Sequence, residues 1–329
     1  MRFWKGLLAA SMLIVPGCAI AQGQKASSPP EFARKIDQLK PGQWVWAPRI
    51  ASGGPLLIYV DLSKQIALVY RNGVRIAATT ISSGKEGHTT PTGVFTILQK
   101  DAKHRSSTYN NAPMPYQQRL TWDGVALHAG GLPGYPESHG CVHLPYEFAR
   151  ELFGLTDLGI TVVMQGNAAA HVRTSDNSLL APFDPAGHPI DHAPLDGEEY
   201  RWTPQIAPKG PLTIIVSKLD QRIVVLRNGV EIGRSAARIA DDDAGSHVIN
   251  LVMKNGKPHW VYVGLPGHED DEGREADEAI LNRVHLPRRF YQLVKAELQP
   301  GATILVTNSR VGANPLEKLT IMDAVAPEL

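Results

Sequence analysis

The sequence predicts a mainly β protein: a tandem pair of β-rich domains with short helices, the second a degenerate copy of the first. Three observations lead there. Short apolar runs bounded by Gly, Pro, Asn and Asp recur along the chain, as strands between turns do. Arg71-Asn72-Gly73 joins two of these runs with the Asn-Gly pair that tight hairpins favour. Pro55 to Ala77 (PLLIYVDLSKQIALVYRNGVRIA) returns as Pro211 to Gly233 (PLTIIVSKLDQRIVVLRNGVEIG), with the Arg-Asn-Gly-Val turn at the same place. Two copies are too few for a solenoid, so each is read as a domain.

Residues 1–21 read as a secretory leader. Arg2 and Lys5 supply the positive start, Leu7 to Val15 is an apolar run too short for a membrane span, and Ala19-Ile20-Ala21 is a cleavage signal leaving Gln22 first. Val15-Pro16-Gly17-Cys18 resembles a lipoprotein box, which Pro16 fits poorly, so the expectation is soluble export to the periplasm. No other stretch is apolar enough for a transmembrane span.

Residues 22–54 are expected to be an N-terminal spacer. It holds a polar stretch to Pro30, a short helix over Glu31 to Leu39, and an edge strand at Trp44-Val45-Trp46. The first domain spans 55–165. Its strands are Leu56 to Val60, Gln65 to Tyr70, Val74 to Ile81, Val94 to Leu98 after a turn around Pro91, Leu120 to Trp122, and Val125 to Leu127. Pro145 to Phe153 reads as a helix, with Pro145 near its start, and Gly159 to Met164 as a closing strand. Residues 166–210 are expected to link the domains, 211–308 to form the second copy, and 309–329 a tail.

Between the last strands and the helix of the first domain lies LHAGGLPGYPESHGCVHLP, Leu127 to Pro145. It holds Cys141, which cannot form an internal disulfide once the leader is gone. Exported proteins use cysteines in pairs, so a single one, set among His128, His139 and His143 and Gly130, Gly131, Gly134 and Gly140, points to a reactive thiol rather than a buried hydrophobe.

The second copy serves as an internal control. Gly264 to Gly267 restates Gly131 to Gly134, Val284 to Pro287 restates Val142 to Pro145, and Ala302 to Val306 restates the closing strand. Those registers put Val261 opposite His128, Leu281 opposite His139 and Arg283 opposite Cys141. The copy cannot run the same chemistry, and its job is structural or substrate-binding. His143 has a surviving counterpart in His285, which favours a scaffold role near the following helix start. Glu269 to Glu272, with Glu275, Asp277 and Glu278, reads as a solvated acidic loop, with partner or cation binding as the alternative.

Ser138-His139-Gly140-Cys141 with His128 upstream, preceded by Thr90-Pro91-Thr92-Gly93-Val94-Phe95, resembles the signature of the L,D-transpeptidase (YkuD-type) catalytic domain over about Pro55 to Gln165. The resemblance implies a β-sandwich with the cysteine on a loop between sheets, and peptidoglycan stem peptides as substrate. It implies Cys141 as the nucleophile that attacks the third residue of a tetrapeptide donor and expels D-Ala, with His128 as general base. His139 and Ser138 would shape the site, Gly140 and Cys141 would face the oxyanion, and an amine of a second stem would take the acyl group. It also implies inhibition by β-lactams of the carbapenem type. Two departures bear on peptide specificity. The stretch from His128 to Ser138 is short, and His143 stands where an arginine is usual, so a carboxylate or carbonyl is held less firmly. A 1-3 linkage in place of the 3-3 one, a carboxypeptidase and a cross-link endopeptidase are therefore weighed beside it.

Chemistry supports the same residues. A free thiol, with a pKa of about 8.5, is only a few per cent ionised at neutral pH, and an imidazole helps it react. A backbone carbonyl such as that of Ala129 can orient His128. Tyr109, Tyr116, Trp122 and Tyr135 are aromatic candidates for a peptide groove, with Tyr116, Trp122 and His143 taken as substrate-binding. The reading calls for no cofactor and no metal. The alternatives are a zinc site of Cys141, His128, His139 and His143, which alternation in an extended segment would partly bring to one face, and a cell-wall binding protein with an inert thiol. A net charge of +1 offers no footprint for nucleic acid.

Overall fold

The computed structural model describes residues 23–166, 197–240, 246–277, 283–308 and 311. The leader, the lipoprotein box, much of the inter-domain segment, Glu278 and Leu281 lie outside them. The first copy runs β1 (Gly23–Lys25), α1 (Pro29–Ile36), β2 (Trp44–Trp46), β3 (Leu56–Asp61), β4 (Ile66–Arg71), β5 (Val74–Thr80), β6 (Gly93–Thr96), β7 (Gln99–Asp101), β8 (Gln117–Arg119), β9 (Ala126–Ala129), β10 (Val142–Leu144), α2 (Tyr146–Leu155) and β11 (Thr161–Gln165). It forms a seven-stranded sheet, ordered β1-β2-β5-β4-β3-β11-β6, and a four-stranded sheet, ordered β10-β9-β8-β7. Ile58, Val60, Val69, Val162, Leu127, Val142 and Phe148 are buried together between the two sheets and α2.

Two sequence expectations need correction here. Residues 22–54 are built into the fold rather than spacing it: β2 pairs antiparallel with β5 and carries β1 on its other side. Aromatic burial draws it in, since the Trp44 and Trp46 rings meet Phe148 edge-on at 5.9 and 5.5 Å. The strand expected at Leu120 to Trp122 lies earlier, at Gln117–Arg119. Residues 121–125 form a turn, with the Val125 amide donating to Thr121 Oγ1 at 3.0 Å and Gly124 at φ +121°.

The second copy runs β12 (Tyr200–Trp202), β13 (Leu212–Ser217), β14 (Arg222–Arg227), β15 (Val230–Ala236), β16 (Arg238–Ile239), β17 (His247–Lys254), β18 (Lys257–Val263), β19 (Val284–His285), α3 (Arg288–Glu297) and β20 (Thr303–Thr307). Six strands of its large sheet, β12-β15-β14-β13-β20-β17, repeat β2-β5-β4-β3-β11-β6 strand for strand, and β18 is added beyond β17. The repeat therefore begins at Tyr200, inside the stretch expected to be a linker. Trp202 meets Phe290 at 5.7 Å and 87°, as Trp46 meets Phe148 at 88°. Among the described residues the small sheet is reduced to the pair β16-β19. Val261 is not the spatial counterpart of His128. The Asn255-Gly256 turn, both residues at positive φ, folds β18 back onto β17 and into the large sheet.

The two large sheets pack back to back. Leu57, Tyr59, Leu68, Tyr70 and Val163 of the first copy share a buried cluster with Ile215, Val224, Leu226, Val248 and Leu305 of the second. Val311, within the expected tail, is buried in the same cluster. Each inner strand is covered on both faces, which is why Leu56 to Val60 is apolar throughout rather than alternating. Polar contacts fix the register. Tyr70 donates to the Gly264 carbonyl at 2.8 Å, the Thr161 and Thr213 hydroxyls meet at 3.0 Å, and Arg75 pairs with Glu272 at 2.9 Å. Glu272 is thus a docking residue, not part of a solvated loop.

Candidate active site

The candidate site is a cleft of about 750 Å³ over the small sheet of the first copy. Its lining includes His128, Gly130, His139, Gly140, Cys141 and His143, together with Tyr109, Arg119, Trp122, Asp123 and Gly124. Parallel pairing of β9 and β10 sets its frame: Val142 is opposite Leu127 and His143 opposite His128. Cys141 immediately precedes β10, so thiol and imidazole come from neighbouring strands.

His128 is 5 % exposed. Its Nδ1 lies 2.8 Å from the Ala129 carbonyl, which only an N–H can satisfy, so Nδ1 carries the proton and Nε2 is the basic nitrogen. Burial drives its pKa down to about 4, and His143 pushes the same way, against the Ala129 bond. The thiol of Cys141 donates to the Gly124 carbonyl at 3.4 Å. Burial pushes it up to about 11 and Asp123 adds to this, while a backbone contact at Ala126 and the charge of Arg119 oppose it. At neutral pH the site therefore rests as a neutral thiol beside a neutral imidazole.

Ser138 is buried beneath the loop. Its hydroxyl donates to the Cys141 carbonyl at 2.6 Å and accepts from the Gly140 amide at 3.2 Å. Gly140 has φ +108°, the left-handed region that a Cβ disfavours. That twist, in a bend rather than a strand, breaks the alternation that would have put His139 on the same face as Cys141 and His143. His139 instead stands between His88 and Tyr109, 4.7 Å from each ring. His143 lies edge-on to His128 at 4.8 Å, with its Nδ1 3.2 Å from the Gly131 carbonyl and 3.8 Å from Glu137. These contacts lie with the cleft loop and His128 rather than the helix start. Gly130 makes room for it, since a Cβ there would sit 2.5 Å from the ring.

Trp122 lines the cleft, half-exposed, with the Arg119 guanidinium 5.7 Å from its ring. Tyr116, expected to contact substrate, is not among the lining residues. It packs on Tyr146 and Phe153 of α2 at 5.3 and 5.8 Å. Tyr109 lines the cleft, while Tyr135 does not.

Sequence reasoning missed two supports. Thr90 Oγ1 accepts from the Gly84 amide at 2.8 Å and donates to the Gly140 carbonyl at 3.0 Å, tying the Pro-Thr-Gly turn to the cysteine loop. The stretch Ser82 to Lys85 stitches both ends of that loop, exchanging backbone hydrogen bonds with Ser138 and His143. The turn carrying Gly124 was signalled by its Asp123-Gly124 pair.

Comparison with known proteins agrees on the first copy. The family model of the YkuD L,D-transpeptidase catalytic domain matches residues 55–164. No curated protein matches the chain. Among solved structures, an L,D-transpeptidase from Stackebrandtia nassauensis is 31 % identical, with 36 % of this chain and 58 % of that one covered, at a TM-score of 0.33. An L,D-transpeptidase from Mycobacterium tuberculosis H37Rv is 24 % identical, with 35 % and 59 % covered, at 0.33. L,D-transpeptidase 3 from Mycobacterium tuberculosis, in complex with a faropenem-derived adduct, is 22 % identical, with 35 % and 61 % covered, at 0.33. The chain thus spans less than two thirds of the length of each. The match to the family model of the L,D-transpeptidase (YkuD) catalytic domain thus falls within the first copy, over residues 55–164.

Proposed function

We propose that this cleft carries out cysteine-dependent acyl transfer on peptidoglycan stem peptides. The observation that carries the proposal is that a thiol and an imidazole whose Nδ1 is tied to the Ala129 carbonyl line one cleft. As the Cys141 sulfur attacks the donor carbonyl, its proton passes to His128 Nε2. The amide of Cys141 offers a donor to the oxyanion, since that of Gly140 is committed to Ser138. Collapse expels the terminal amine, which takes the proton from His128 and leaves an acyl-thioester. An amine of a second stem then attacks, gives its proton to His128 and releases the thiol. Starting from two neutral groups, proton transfer accompanies attack, and no thiolate accumulates beforehand.

Trp122, Tyr109 and Arg119 flank the path of the peptide, and His139 forms its rim. The leader-like first 21 residues support a periplasmic setting for this chemistry. The second copy, whose back sheet covers that of the first, holds the catalytic copy in shape.

The test is incubation of the mature protein with purified disaccharide-tetrapeptide and mass spectrometry of the products, with Cys141→Ala alongside. A cross-linked dimer lighter than two donors by D-Ala, absent from the variant, is expected for a 3-3 bond, whereas a 1-3 bond would give a dimer lighter by the expelled peptide of stem residues two to four. Free disaccharide-tripeptide alone would make the enzyme a carboxypeptidase. Equal product from the variant would remove Cys141 from the mechanism.

A further inference from the structure

The second copy carries its own side-chain cluster, away from the cysteine cleft. His247 opens β17, while His268 and Asp271 lie on the loop that follows β18. One ligand atom from each falls within 4.8 Å of the other two, the sole such group of His, Cys, Asp or Glu among the described residues. His247 Nδ1 is 3.7 Å from Asp271 Oδ2, and the two imidazoles are 4.6 Å apart between centroids. A tetrahedral zinc ion with bonds of about 2.0 Å separates its ligand atoms by about 3.3 Å. Small side-chain rotations would therefore close this cluster around one ion.

The surroundings suit such a site. Arg274 holds Asp271 Oδ1 at 2.6 and 3.1 Å, which orients the carboxylate and turns Oδ2 toward His247. The same guanidinium lies 4.5 Å over the Tyr262 ring, and that ring meets His247 edge-on at 5.9 Å. The cluster also belongs to the second copy alone. His247 pairs with Val306 as Gly93 pairs with Met164, so the histidine stands where the first copy has the glycine of its Pro-Thr-Gly turn.

We propose that His247, His268 and Asp271 bind a divalent transition metal of the zinc class, with a water in the remaining position, and that this ion fastens the loop by which the second copy grips the first. Two imidazoles and a carboxylate fit zinc better than calcium or magnesium, which prefer oxygen alone. The link to docking is short: Asp271 precedes Glu272, which pairs with Arg75, and Gly264 at the base of the loop accepts from Tyr70. An ion held by β17 and the loop together ties the docking loop to the sheet it leaves.

The test uses the full mature chain carrying Cys141→Ala, so that the cleft thiol contributes nothing and the outcome is independent of acyl transfer. Equilibrium dialysis against Zn²⁺ followed by metal analysis should give one zinc per chain, and thermal unfolding should shift upward with Zn²⁺. In the same background His247→Ala/His268→Ala should lose the zinc and the shift while keeping the far-ultraviolet spectrum of the parent. Should the double variant fail to fold, His268→Gln alone carries the test, with affinity at least tenfold weaker expected. Less than one zinc per chain in the parent, or the same affinity in parent and variant, would overturn the proposal.

Discussion

At the residue scale, the site is a pair of groups that burial keeps uncharged. With the thiol up at about 11 and His128 down at about 4, thiolate is scarce at pH 7. Iodoacetamide alkylation of Cys141, followed by intact mass, should quicken about tenfold per pH unit from pH 7 to 10. A plateau reached near pH 7 would instead reveal a thiolate-imidazolium pair. His128 also links pH to stability. Its folded pKa is depressed, so between about 4 and the ordinary 6.5 the unfolded chain binds the proton more readily. Stability is therefore full above pH 6.5 and falls as the pH drops toward 4, by about 3 kcal/mol. Urea melts across that window should show a steeper slope in the parent than in His128→Gln, where burial still holds His139 and His143 below their ordinary value. Cys141, His128 and His143 were legible as neighbours because they sit within one short stretch of chain. Thr90 and the Ser82 to Lys85 support were not, since they reach the loop through backbone atoms, which side-chain identity does not reveal.

At the element scale, the same device appears twice: an aromatic pair on a short strand gripping a helix phenylalanine. Phe148 is fully buried under Trp44 and Trp46 and helps hold α2 against β9 and β10. Phe148→Ala should cost about 3–5 kcal/mol in chemical denaturation and loosen the strand that follows Cys141. A loss under 1 kcal/mol would show that the aromatic grip is not what seats the helix. Most strands were legible from apolar runs and from the Asn-Gly turns, where Asn72 and Gly73 both take positive φ. The error at Leu120 to Trp122 came from reading apolar and β-prone residues as strand while an Asp-Gly turn signal stood beside them. Tyr116 was misplaced for a related reason. Composition marks an aromatic residue but not which side of a strand end it takes, and this one, at φ +57°, turns to the helix.

At the scale of the whole molecule, the second copy keeps the large sheet and its helix, and among the described residues its small sheet is down to the pair β16-β19. What remains is the surface that covers the back of the first copy. The repeat itself was legible, and so was the loss of its cysteine. The packing was not, although the unbroken apolar run Leu56 to Val60 carried the signal of a strand buried on both faces. Arg75 and Glu272 cross the interface with little exposure, 13 % and 14 %. Arg75→Ala should cost about 3 kcal/mol, since it strands the carboxylate, and the Arg75→Ala/Glu272→Ala double variant should cost clearly less than the two singles added together. Additive losses in that cycle would mean that the pair does not couple the copies.

The most direct test of the central claim is the covalent intermediate itself. The protein is quenched in acid within a turnover of disaccharide-tetrapeptide, and its peptides are mapped by mass spectrometry. The account predicts a disaccharide-tripeptide acyl group on Cys141, carried as a thioester and cleared by hydroxylamine. An acyl group on any other residue, or product forming with Cys141 never modified, would contradict it.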